Sequence, residues 1–139
     1  MALCLWIPWR PLVDFVRTVD ETVVPLFRAC HTMDLALIAA LAGLGEEMLF
    51  RGVLQRAIIG ETPTEFQTWL GIVAAGVVFG MAHRITWTYA ALATIIGIYL
   101  GWLLEATGNL LAPIAAHGVY DFLALVYLVR VRKPVEQQT

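Results

Sequence analysis

Long apolar stretches dominate the chain, and polar positions interrupt them only at wide intervals. Four stretches, at 35–59, 63–83, 85–104 and 112–129, approach or exceed the ~20 apolar residues a helix needs to cross a bilayer. The first is broken only by Glu46, Glu47, Arg51, Gln55 and Arg56, and the third carries no charge. The second opens with Thr62-Pro-Thr-Glu65, a capping-box pattern with proline at the first helical position. Thr107-Gly-Asn109 marks a helix stop and turn before the fourth, which carries His117 and Asp121 and stops at Arg130-Val-Arg-Lys-Pro134. The joints are short, which predicts antiparallel neighbours. The fold class is therefore all-α: a polytopic membrane bundle of about four transmembrane helices.

Residues 1–34 follow a different pattern. Residues 1–9 are too short to span and lack the basic start of a signal peptide. From 12 to 23, apolar residues at 12, 16, 19 and 23 alternate with Asp14, Arg17, Asp20 and Glu21, which predicts an N-terminal interfacial helix ending near Pro25. The organisation is then an apolar and amphipathic segment at 1–34, a bundle core at 35–130 and a tail at 131–139. With four antiparallel spans, Arg10, Arg17, Arg28, Arg84, Arg130, Arg132 and Lys133 share one side, against at most Arg51 and Arg56 on the other. The positive-inside rule places both termini in the cytoplasm of a multi-pass cell-membrane protein. Trp87 and Tyr89 mark that interface, and Trp69 and Trp102 the opposite one.

Composition supports the same class. Of 139 residues, 60% are hydrophobic and 14% charged, and so short a chain cannot bury that much apolar surface in a soluble core. The lipid bilayer is thus a partner. A net charge of −2 without a basic tract gives nucleic acid no footprint. Cys4 and Cys30 form neither a metal-type spacing nor a disulfide framework.

Ionisable residues inside spans are costly and usually mark function. Here they form Glu46-Glu47-Met-Leu-Phe-Arg51, Phe79-Gly-Met-Ala-His83 and His117-Gly-Val-Tyr-Asp121, each on a different span. Glu47 and Arg51, four apart, share a helix face and form an ion pair, which leaves Glu46 without a local cation. His117 and Asp121 are also four apart, so a carboxylate can orient the imidazole. Structural readings exist for each: a buried ion pair, an interfacial His83, a His117–Asp121 interhelical bond, a packed Phe79. Together they would need several independent structural explanations. Water activation by Glu46, assisted by the histidines, needs one.

These three motifs in this order, with Thr-Gly-Asn-Leu preceding His117, resemble the CAAX protease and bacteriocin-processing (Abi) family of intramembrane proteases over about residues 35–128. The resemblance implies a membrane peptidase with its catalytic groups in a cavity open to the cytoplasm. Glu46 would be the general base, with Glu47–Arg51 as its supporting pair. His83 and His117 would bind the attacking water or a metal, and residue 121 would help stabilise the oxyanion. Members have been described both as metalloproteases and as glutamate-type proteases. The substrate would be a peptide or membrane-protein segment, whether prenylated carboxyl terminus or bacteriocin leader. Two departures stand out. Members commonly carry further spans before the Glu-Glu helix, so the chain is a minimal member, a fragment, or a core that forms a homo-oligomer or needs a partner chain. Asp121 replaces the frequent asparagine; ionised aspartate cannot donate a hydrogen bond, which favours orienting His117 or binding a cation. Zinc held by His83, His117 and Asp121 is then a possible cofactor.

Two alternatives come from other classes: a non-catalytic immunity or scaffold protein of the same fold, and a small cation or proton carrier. The almost bare third span argues against the carrier. Depth sets a further condition. At ~1.5 Å per residue Glu46 lies about 18 Å along its helix, whereas His83 ends its own span. The two can meet only if the second helix continues, tilts or has its 84–88 link tucked inward, so His83 is expected inside the protein rather than at its rim.

Overall fold

The structure, a computed structural model, describes residues 10–132, and among these every regular element is helical, with no strand. The residue 1–9 segment and the tail beyond 132 lie outside the described residues. The first helical run comprises α1 (Arg10–Thr18), a π-helical turn (Val19–Val23) and α2 (Val24–Phe27). It therefore passes through Pro25 instead of ending there, which corrects the expected boundary. Proline lacks an N–H and its ring crowds the carbonyl four residues back. The chain meets this by widening the preceding turn, where the Val24 N–H bonds Val19 O, five residues back.

The next run joins α3 (Thr32–Glu47), a π segment (Met48–Gln55) and α4 (Arg56–Ile59) without a break. The His31 N–H donates to Asp34 Oδ2 at 2.7 Å to cap its start. Helix α5 (Glu65–Ala82) is capped by Thr64 and Gln67, not by Thr62 and Glu65. Starting two residues later places the Glu65 carboxylate in the first turn, where the helix dipole favours it. The Gln67 amide oxygen then accepts from the Thr64 N–H at 2.8 Å. Helix α6 (Trp87–Thr107) ends on Gly108 in the left-handed conformation, φ 62°, the helix stop expected from the sequence. Helix α7 (Leu111–Val126) runs on as a π segment, Tyr127–Val131.

Among the described residues, three helical runs are long and apolar enough to cross a membrane: Glu65–Ala82, Trp87–Thr107 and Leu111–Val131. The first expected span is helical throughout, but it is divided by its π segment and buries Glu47, Arg51 and Gln55. Outward-facing Leu37, Leu41, Ile95, Val119 and Leu123 are all more than half exposed, the inverse of a soluble surface. The molecule is a helical membrane bundle.

Two helix pairs build it, α5 on α6 and α3 on α7, joined where the π segment 48–55 packs against α5. Close approach of α5 and α6 depends on Gly80, where a Cβ would lie 2.0 Å from Thr94 Oγ1 and 2.6 Å from the Ala90 carbonyl oxygen. Gly80→Val must push the pair apart against backbone. The expected cost is about 1–3 kcal/mol, read as a lowered thermal midpoint in detergent.

One end of the bundle gathers the first helical run, the start of α6 and the end of α7. Phe15 stacks on Tyr89 with centroids 5.6 Å apart and planes 14° from parallel. Arg132 Nη2 donates to Asp20 Oδ2 at 2.8 Å, and Arg130 donates to the Cys30 carbonyl.

Candidate active site

Positions 47, 51 and 55 recur at one-turn spacing and turn one polar edge toward α6. The wider turn of the π segment keeps that edge facing its neighbour, and such insertions are frequent at functional sites. Glu47, Arg51 and Gln55 are fully buried. Arg51 Nη1 donates to Glu47 Oε1 and Nη2 to the Gly97 carbonyl, both at 2.7 Å. Gln55 Nε2 donates to the Gly101 carbonyl at 3.1 Å and to Glu105 Oε1 at 3.0 Å. The expected Glu47–Arg51 pair is present, and Arg51 is held on two sides.

Glu47 has a second partner. His117, 5% exposed, places Nδ1 2.8 Å from the same Oε1. A carboxylate only accepts, so Nδ1 carries the hydrogen. Asp121 Oδ2 lies 3.3 Å from His117 Nε2. The imidazole thus stands between two acids, one from its own helix and one from the Glu-Glu helix.

Glu46, on the adjacent position, points to the other face of this group. Its Oε2 lies 3.2 Å from His83 Nε2 and 3.8 Å from His117 Nε2. That oxygen is buried yet receives no hydrogen bond from the described residues. His83 Nδ1 donates to the Phe79 carbonyl at 2.8 Å, which leaves Nε2 to face Glu46. Phe79 supports the whole arrangement. Its ring lies 4.3 Å from that of His83, 5.7 Å edge-on from that of His117, and 4.7 Å below the Arg51 guanidinium carbon.

The depth condition is met by offset packing. Helix α5 packs against the π segment and α4, well along the first long run. Its end, His83, therefore arrives beside Glu46, while α3 continues about 21 Å beyond toward Thr32 at ~1.5 Å per residue. His83 is half-buried within the cluster. All six residues singled out from the sequence, Glu46, Glu47, Arg51, His83, His117 and Asp121, meet in one contiguous group.

A cavity of about 180 Å³ opens beside them, with His83, His117 and Asp121 on its polar side. Phe15, Tyr89, Leu92 and Ile96 help form its apolar side. Metal binding finds less support. Among the described residues, no group of three or more His, Cys, Asp or Glu is placed to hold a metal ion. The set His83, His117 and Asp121 considered for zinc is not such a group.

The sequence model describing the type II CAAX prenyl endopeptidase Rce1-like family matches residues 29–123. The chain belongs to this family. It is also 36% identical over 124 residues to the "Uncharacterized protein YpbD" of Bacillus subtilis (strain 168), an alignment covering 87% of this chain and 57% of that protein. The chain thus spans little more than half the length of that relative. No solved structure matches. Membership in the Rce1-like family points to a peptidase, and all three sequence motifs fall inside the matched segment.

Some participants were not evident from sequence. Gln55 reads in the sequence only as an interruption of the first apolar stretch, although its spacing from Glu47 and Arg51 signals the shared edge. The Gly97 carbonyl has no sequence signature. The sequence places Tyr89 at the interface and does not single out Phe15, and only the packing of α1 on α6 brings them to the cavity.

Proposed function

We infer that the protein is a membrane-embedded endopeptidase of the CAAX type in which Glu46 activates water. The observation that carries this reading is Glu46 Oε2, a buried carboxylate oxygen that accepts no hydrogen bond from the described residues and is bracketed by two imidazole edges. Such an oxygen is ready to accept a proton. A water donating one hydrogen to Glu46 and the other to His83 Nε2 becomes nucleophilic as Glu46 takes its proton. His83 is suited to that contact because the Phe79 carbonyl fixes its hydrogen on Nδ1.

His117 has the complementary role. With acids at both nitrogens it satisfies its neighbours by carrying both hydrogens. As an imidazolium it can turn its Nε2–H from Asp121 to the oxyanion formed when water adds to the scissile carbonyl. Asp121 then orients and charges His117 and does not itself donate. Collapse of the tetrahedral intermediate breaks the C–N bond, and the proton held by Glu46 passes to the leaving amine.

The segments that meet at the end of the bundle nearest this site, the first helical run, the start of α6 and the end of α7, carry or adjoin Arg17, Arg28, Arg84, Arg130 and Arg132, which supports a cytoplasmic opening, both termini on that side, and residence in the cell membrane. The test uses protein reconstituted in liposomes and a peptide ending in a farnesylated cysteine, two aliphatic residues and a free terminal residue. Wild type should release the last three residues. His117→Ala should lower the rate by about 10²–10³-fold, the usual loss for an oxyanion donor. Absence of cleavage by wild type, with the peptide prenylated or bare, overturns the reading; so does equal cleavage by His117→Ala.

A further inference from the structure

We propose that Phe15, on the N-terminal helix, is a specificity-determining residue that limits the size of the substrate side chain accepted beside the scissile bond. This rests on the peptidase reading above. The cavity beside His83 and His117 holds about 180 Å³, comparable to an engineered apolar cavity of about 150 Å³ that binds benzene. It therefore takes one apolar side chain, not an extended chain. Its polar side carries His83 and His117, the two imidazoles that bracket Glu46, so whatever occupies the apolar side adjoins the bond to be cut.

Most of that apolar side comes from α5, α6 and α7, within the segment matched to the family. Phe15 does not. It lies on α1, outside residues 29–123, and its ring is laid on Tyr89 at 5.6 Å, nearly parallel. Two further contacts secure the helical run that carries it, the Asp20–Arg132 ion pair at 2.8 Å and the bond from Arg130 to the Cys30 carbonyl. A wall supplied from outside the shared core can vary in size without disturbing Glu46, His83 or His117.

The experiment follows cleavage of a pooled peptide library by mass spectrometry, each member carrying the farnesylated cysteine used above and varied at the residue after it, with the full chain as wild type, Phe15→Ala and Phe15→Trp. Phe15→Ala should shift the preference at the position flanking the cut toward Phe and Trp. Phe15→Trp should shift it toward Ala and Val. Each change in the large-to-small ratio should be about ten-fold, the scale on which an apolar pocket discriminates size. Opposite shifts cannot arise from misfolding. In parallel, diethylpyrocarbonate modification of His83 is compared with that of exposed His31. The His83 rate should rise in Phe15→Ala and fall in Phe15→Trp. An unchanged cleavage profile from an active wild type overturns the role of Phe15 and leaves the peptidase reading standing. No cleavage by wild type overturns the peptidase reading and this role with it. Unchanged His83 rates in both variants remove Phe15 from the cavity wall whatever the activity.

Discussion

Glu46→Gln should lower kcat/KM for peptide cleavage by about 10²–10⁴-fold, the range over which a positioned general base contributes, with little change in thermal midpoint. The two halves of this expectation come from the same geometry. Glu46 is about one-third exposed and its Oε2 accepts no hydrogen bond from the described residues, so the fold gains little from it. Glutamine keeps the shape but cannot take a proton. Activity measured in liposomes beside a melting curve in detergent separates the effects. A melting midpoint that falls as steeply as the activity would make Glu46 a structural residue. Full activity in the variant would remove it from the chemistry.

His83 provides the internal comparison. Its hydrogen is committed to the Phe79 carbonyl, and its free edge faces Glu46. Its loss should therefore be partial, because Glu46 remains to take the proton.

Much of this site is legible in the sequence. The cost of charge in a bilayer forces ionisable groups inward, so Glu46, Glu47, Arg51, His83, His117 and Asp121 stood out against apolar surroundings. Four-residue spacing gave the Glu47–Arg51 and His117–Asp121 contacts correctly, because helix geometry is local. Contacts between helices were less accessible. The Glu47–His117 bond joins residues 70 positions apart, and spacing along one helix says nothing about it. Helix ends moved for a similar reason. The run through Pro25 depends on a π turn, and the α5 cap chose Thr64 over Thr62; both are competitions between nearly equal local solutions. Depth was the most informative conflict: the sequence suggested a longer or tilted second helix or an inward 84–88 link, and the structure brings His83 to Glu46 by packing α5 well along the first long run.

Glu47 and Arg51 provide the sharpest separation of fold from chemistry. Both are fully buried, and Glu47→Gln leaves the Arg51 guanidinium with a neutral amide and the Gly97 carbonyl in place of a counter-charge. Breaking a buried pair from one side typically costs about 3–5 kcal/mol, so Glu47→Gln should lower the thermal midpoint sharply and abolish cleavage. Alone, that result would not say whether Glu47 serves catalysis. The double variant Glu47→Leu/Arg51→Met does. It removes both charges together, and well-packed apolar replacements of a buried pair are often neutral or stabilising. Its midpoint should return close to that of wild type. Its activity should not, because His117 Nδ1 has lost the Oε1 that held its hydrogen at 2.8 Å, and a ring free to turn no longer presents Nε2 to the oxyanion. If the double variant regains cleavage along with stability, Glu47 is only the counter-ion of Arg51. If stability returns and cleavage does not, the same buried carboxylate both neutralises the helix interior and positions the imidazole.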